Sequence, residues 1–199
     1  MTNQVKKKKF LKEFLKISAD NGWNIASFDE TRKKLKYNSN ITNNLFPNKL
    51  DDLILFYNYL TNEKLSKLYK KKRFNKSSIR VCVLNALKIR FEILNINKIS
   101  IKKSMIFLAN PSKQILSSKL IYKTVDYIWK LIGDKSADYN FYTKRAILAS
   151  IYSLAIAIWV SENSKDLNKT FNFLNKSIMN MNVVTDVKKK IKETIKQFL

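Results

Sequence analysis

GDKSADYNFYTKRAILASIYSLAIAIWV, from Gly133 to Val160, joins a turn to a long, almost uniformly apolar run that begins at Ala146. Gly133 suits the left-handed position that follows a helix. Ser136 is a capping residue, and Asp138 falls where the dipole of a new helix favours acid. The stretch therefore predicts a helix end, a turn, and a long helix from Ser136 to about Val160. Because Ala146 to Val160 is apolar on nearly all sides, that helix is expected to run through the middle of the domain. Phe141 and Tyr142 cannot both face inward beside Ala146 and Leu148, so an aromatic must be presented outward near its start.

Working outward, the rest of the chain is also helical. Residues 4 to 20 place Val5, Phe10, Leu11, Phe14, Leu15 and Ile17 on one face, and Gly22 closes that helix. A short helix fits Ser27 to Lys36, capped by Ser27 or Asp29. KYNSNITNNLFPNK, Lys36 to Lys49, is rich in Asn and weakly periodic, which predicts a loop or frayed turn. Asp51 to about Lys71 resumes a helix, with Leu50, Leu53, Ile54, Phe56, Tyr57 and Leu60 inward. IRVCVLNALKIRFEIL, Ile79 to Leu94, fits a strand or a buried helix, and its length favours helix. Another helix starts near Ser100 and ends near Asn110, because Pro111 disfavours helical geometry in the residue before it. Ile115 to Ile132 follows, and after the long helix Asp166 is placed to cap one carrying Leu167, Phe171, Leu174, Ile178 and Met181.

The composition agrees. The chain has 199 residues with only 2 Gly and 2 Pro, and hairpins, bulges and phosphate loops depend on those two residues. Histidine is absent, which removes the commonest general base and metal ligand. The single cysteine, Cys82, lies in an apolar run and reads as a buried small hydrophobe. It forbids an intrachain disulfide, so a reducing compartment is expected. No P-loop, Rossmann glycine pattern or zinc-type Cys pair occurs. Asp134 and Asp138 are explained as turn and cap, so a non-enzyme is expected, with no cofactor and no metal.

The formal net charge of +24 suits nucleic acid or an anionic membrane surface. It equally suits solvated helix faces in a chain rich in Lys, Asn, Ile, Tyr and Phe. The start, MTNQVKKKKFLKEFLK, moves straight into an amphipathic pattern, and the longest apolar run is shorter than the ~20 residues of a spanning helix. A soluble or peripheral chain is expected. At the other end Val184, Val187, Ile191, Ile195 and Phe198 form a narrow stripe flanked by Lys188, Lys189, Lys190, Lys192 and Lys196. That pattern fits a helix in a membrane interface, in a partner groove, or on its own domain.

With these residues laid out, VDYIWKLIGDKSADYNFYTKRAILASIYS followed by FNFLNKSI resembles the signature of the Coq-nine family, the lipid-binding accessory proteins of ubiquinone (coenzyme Q) biosynthesis. The matching positions are Asp126, Ile128, Trp129, Gly133, Asp134, Ser136, Asp138, Phe141, Tyr142, Thr143, Lys144, Arg145 and Ala146. FLANPSKQ from Phe107 is similar to the family's Leu-Ala-x-Pro turn. Phe141 stands where the family usually has Trp, and Ala137 where Thr is usual. Upstream, GWNIASFDE and LFPNKLDDLILFY resemble the TetR transcription regulators, whose fold the Coq-nine family shares. The recognition helix would fall within Tyr37 to Asn44, which is poor in the cations that read phosphate.

The resemblance implies an all-α, TetR-regulator-like helical bundle. Residues 1–60 would form a degenerate helix-turn-helix region, 61–181 a lipid-binding domain with the signature at 125–181, and 182–199 an amphipathic membrane-docking helix. It implies a cavity for an isoprenoid quinone or phospholipid, with Leu148, Ile151, Tyr152, Ala155, Trp159, Phe171 and Leu174 assigned to its lining. It implies delivery of quinone intermediates to the demethoxyubiquinone hydroxylase, alongside other ubiquinone-biosynthesis proteins. Ile128, Trp129, Leu131, Phe141 and Tyr142 would make the contact patch, with Asp126 and Lys144 on its rim; each is alternatively core. Docking on anionic lipid falls to Val184, Val187, Ile191, Ile195, Phe198, Lys188, Lys189 and Lys192. The place would be the inner face of a bacterial membrane, or the matrix side of the mitochondrial inner membrane. A homodimer is compatible and nucleic acid is not expected. The alternative reading is a TetR-type DNA-binding regulator.

Overall fold

In the computed structural model the described residues are 2–72, 78–137 and 139–180. Among them the chain is all-α: α1 (Asn3–Asn21), α2 (Ile25–Lys34), α3 (Ser39–Leu45), α4 (Leu50–Lys71), α5 (Ile79–Asn95), α6 (Lys98–Leu108), α7 (Gln114–Leu131), α8 (Tyr139–Ser161) and α9 (Asn168–Met179). A single 3₁₀ turn, Pro111–Lys113, joins α6 to α7. The expected terminal helix with Val184, Val187, Ile191, Ile195, Phe198 and its lysines lies outside the described residues, as does Asp138.

Phe10, Leu11, Phe14 and Ile17 recur at helical spacing and bury against α2, α3 and α6. Each such side chain contributes about 1.5–3 kcal/mol of burial. The cap of α2 is Asn24, whose side chain accepts the Ser27 N–H at 2.8 Å. Ser27, expected as the cap, is instead wholly buried one turn later and donates to the Gly22 carbonyl. The segment expected as a loop holds α3, because Asn38 accepts the Ile41 N–H at 2.8 Å and so initiates a helix that weak periodicity conceals. α4 runs unbroken through residue 60 and packs on α5 and α7. Ile79–Asn95 is a helix, and it reaches the core with both apolar and polar side chains.

The turn that opens the quoted stretch ends α7 as the sequence predicts. Gly133 has φ +86°, its N–H donates to the Lys130 carbonyl, and the Asp134 N–H donates to the Trp129 carbonyl. This is the paired Schellman pattern. A Cβ at Gly133 would touch nothing within 4 Å, so Gly133→Ala is opposed by backbone conformation alone. It should lower stability by about 1 kcal/mol, read as a reduced urea midpoint at unchanged slope.

Two expectations for the following helix are corrected. α8 begins at Tyr139, three residues after Ser136, so Ser136 does not cap it. Nor does α8 run through the middle. Only Arg145, Leu148, Tyr152, Ala155 and Trp159 are buried, a single stripe facing α7 and α9, while Tyr142, Ala146, Ser150, Ser153, Leu154 and Ala157 face outward. The helix is apolar all round, but much of its outer side consists of Ala and Ser, which leave water little to lose. By length and composition α8 could cross a bilayer. The last expected cap is also displaced: Asp166 is exposed, and Leu167, with φ +54°, precedes α9. The capping oxygens come from Glu162, which accepts the Lys169 and Thr170 N–H groups at 2.8 and 3.0 Å.

Candidate functional site

The corner between α7 and α8 is held by an ionic lattice. Asp134 Oδ1 accepts from Lys144 Nζ at 2.9 Å and from Ser136 Oγ at 2.8 Å, and its Oδ2 faces Arg145 Nη1 at 3.4 Å. Asp126 Oδ1 accepts Arg145 Nε at 2.9 Å, and its Oδ2 pairs with Lys130 at 2.7 Å. The Arg145 guanidinium is buried over the Phe141 ring, 3.4 Å from its centre, and donates to the Phe141 carbonyl at 3.2 Å. Burial alone would raise both carboxyls. The hydrogen bonds and charges of Lys130 and Arg145 hold Asp126 below the usual carboxylate range, and Lys144 and Ser136 do the same for Asp134. Every oxygen of this cluster faces a structural partner, so its chemistry is that of a clamp.

The residues expected as a contact patch separate on this clamp. Ile128 and Trp129 are core, 0% and 2% exposed, because the buried face of α7 passes through them; their placement on a surface is corrected. The Trp129 indole N–H donates to the Lys144 carbonyl at 3.3 Å, and Lys144 Nζ lies over its ring. Asp126, Leu131, Phe141 and Lys144 are half-buried. Tyr142 is 70% exposed and meets the Phe141 ring edge-on at 5.1 Å, so the two aromatics do diverge. An open groove of about 840 Å³ runs beside Tyr142 between α7 and α8, with Tyr122, Ala146 and Leu154 on its walls.

A second space lies inside the bundle. A partly open cavity of about 280 Å³ is lined by α4, α5, α6, α7 and α8. Its walls are mostly aliphatic, with Ile54, Leu94, Ile101, Met105, Leu120 and Ile156 prominent. Of the seven residues expected to line it, Tyr152 and Trp159 do so. Leu148, Ala155 and Leu174 are buried, and Ile151 and Phe171 half-buried, but none of the five lines it. Phe171 and Leu174 belong to α9, which packs on α5 and α8 and contributes no residue to this lining.

What sequence reading missed is polar. Arg90, 2% exposed, lines the cavity together with Asn58, Thr124 and Tyr152. Its Nε donates to Tyr152 Oη at 2.8 Å, Nη1 to Asn62 at 2.6 Å, and Nη2 to Asn58 at 2.5 Å and Thr124 at 3.0 Å. An arginine embedded in the apolar run VCVLNALKIRFEIL was the available signal. Trp159, also on the wall, carries a buried indole N–H without an acceptor. Tyr57 is buried nearby, and burial pushes its hydroxyl up to about 12.

Residues 115–185 match the sequence profile of the COQ9 family. The chain is 33% identical over 110 residues to the probable ubiquinone biosynthesis protein coq9, mitochondrial, of Dictyostelium discoideum, covering 55% of this chain and 36% of that protein. To the ubiquinone biosynthesis protein COQ9, mitochondrial, of Rattus norvegicus it is 26% identical over 187 residues, 90% of this chain and 60% of the rat protein. The human protein of the same name is 33% identical over 78 residues, 39% of this chain and 24% of its own length. The chain thus spans less than two thirds of the length of each of these relatives.

Proposed function

Taking the chain as belonging to the COQ9 family through residues 115–185, we propose that it is a non-catalytic, lipid-binding accessory protein of ubiquinone biosynthesis. It works at a membrane surface and offers isoprenoid quinone intermediates to a hydroxylase that modifies the quinone ring. The observation that carries this reading is the partly open, largely apolar cavity behind α8, which suits part of an apolar chain. A polyprenyl quinone is confined to the bilayer, and a soluble enzyme reaches its head group only if a carrier raises it. The exposed side of α8, from Tyr142 to Leu154, is the surface for the hydroxylase. Residues 183–199, with their lysines, would dock on anionic lipid, each lysine adding up to ~1 kcal/mol. A mitochondrial setting follows the names of the relatives. A DNA-reading role is disfavoured: α3, at the place of a recognition helix, carries no cation.

Native mass spectrometry with lipid extraction tests the reading. Copurified isoprenoid or phospholipid, and loss of flotation on anionic liposomes when 183–199 is deleted, are the expected results. An empty protein whose flotation is unaffected by the deletion would overturn it. At the contact surface, Tyr142→Lys should leave the urea midpoint within about 0.5 kcal/mol of the parent, as for an exposed site. Binding to the hydroxylase should weaken at least about ten-fold, as at an aromatic anchor. Unchanged binding would remove Tyr142 from the interface.

A further inference from the structure

Arg90 is a buried cation that pairs with no acidic residue among the described ones. Its four acceptors are the neutral groups of Asn58, Asn62, Thr124 and Tyr152, and none of the residues lining the cavity is acidic. A guanidinium does not deprotonate, so its charge persists in a low-dielectric interior. Burying a charge is costly unless an opposite charge or strong hydrogen bonds compensate it. Its five N–H groups make four hydrogen bonds, which leaves one on Nη1 without an acceptor among the described residues. Elsewhere in the fold the rule is kept: the other arginine buried among the described residues, Arg145, is flanked by two aspartates.

The location turns this imbalance into a binding feature. Arg90 and three of its partners line the cavity, while much of the remaining wall is aliphatic. The cavity is therefore amphipathic, with a deeply buried guanidinium on an otherwise largely apolar lining. Trp159, on the same wall, adds a second buried donor, its indole N–H, with no acceptor. With the Tyr57 hydroxyl, also buried on this lining without a partner, three donors and a net positive charge specify a complementary guest. We propose that the cavity takes a single-chain amphiphile head-first, its ionised oxygen head, a carboxylate or an acidic ring hydroxyl, received by Arg90 and its chain lying against the aliphatic walls. The inference rests on the cavity being a lipid site and adds the direction and the charge of the guest.

The test compares decanoate with methyl decanoate on the unmodified protein, by native mass spectrometry and by ligand-induced thermal shift. The ester keeps the chain and the carbonyl and lacks the charge. A charge-assisted hydrogen bond in a buried site corresponds to an advantage of about ten- to a hundred-fold for the acid. Arg90→Met should abolish that preference while leaving ester binding in place. Because this variant also strips four neighbours of their donor, it is interpreted only where its circular dichroism matches the parent. The acid–ester comparison on the parent decides without it. Decyl phosphate and a short-chain quinol analogue, compared in the same way, distinguish a general anion site from one for ionised ring hydroxyls. Equal binding of acid and ester would overturn the inference and leave the lipid-carrier reading standing. Binding of neither, with no lipid copurified, would overturn both.

Discussion

Arg145→Met should lower the stability of the fold by about 3 kcal/mol at neutral pH. Removing one partner of a buried ion pair typically costs that much or more, because the other charge stays behind. Here the guanidinium lies between Asp126 and Asp134, whose side chains are 15% and 6% exposed. The loss is kept near the lower end of the usual range because each aspartate retains a lysine, Lys130 for Asp126 and Lys144 for Asp134. The sign of the pH dependence separates this account from simple loss of packing. Both carboxyls are depressed in the folded protein. Their contribution is therefore present above the ordinary carboxylate range, near about pH 4, and fades as pH falls through their lowered values. The gap between parent and variant in urea titrations should hold from neutrality down to about pH 4 and shrink as pH falls below it. A gap that stays constant would mean that Arg145 acts through its contact with the Phe141 ring alone.

That clamp is also where sequence reading succeeded and where it stopped. Gly133 as a helix stop and the divergence of Phe141 and Tyr142 are local facts, fixed by backbone conformation and by helical angle, so a single sequence carries them. The burial of Ile128 and Trp129 is not local. Tryptophan is common both in cores and at interfaces, and only the packing of α7 in the bundle decides between them. The same limit displaced the cavity. Phe171 and Leu174 have the right periodicity for a wall, but periodicity gives a face and not the neighbour it meets, and α9 packs on α5 and α8 without reaching the cavity. α3 was hidden because seven residues are too few for a period to show, while its cap, Asn38, is one asparagine among several. Arg90 was legible as an anomaly in an apolar run. Its meaning required its partners, which lie 28 to 62 positions away along the chain.

Glu162→Gln is the sharper test of how long-range polar contacts set the fold. Glu162 is 2% exposed, and its two oxygens receive Ser164 Oγ, the Lys169 and Thr170 N–H groups, and Thr170 Oγ1 at 2.6 to 3.0 Å. Burial by itself would raise its carboxyl, but these four donors more than offset it and bring it down to about 2 from 4.5. A depression of that size corresponds to about 3 kcal/mol of stability, because each unit is worth about 1.4. It is present in full above the unfolded value and is lost as pH falls from there through about 2. Glutamine keeps one acceptor but turns an amide donor toward N–H and O–H donors, so about 2–3 kcal/mol should disappear at neutral pH. Because Glu162 supplies the cap that Asp166 does not, the loss should concentrate in α9: its amides should exchange faster, whereas those of α4 keep their protection. Near pH 2 parent and variant should converge. If the deficit persists there, the ionised carboxylate is not what anchors α9, and the contribution lies instead in how Leu174 and Ile178 pack beneath it.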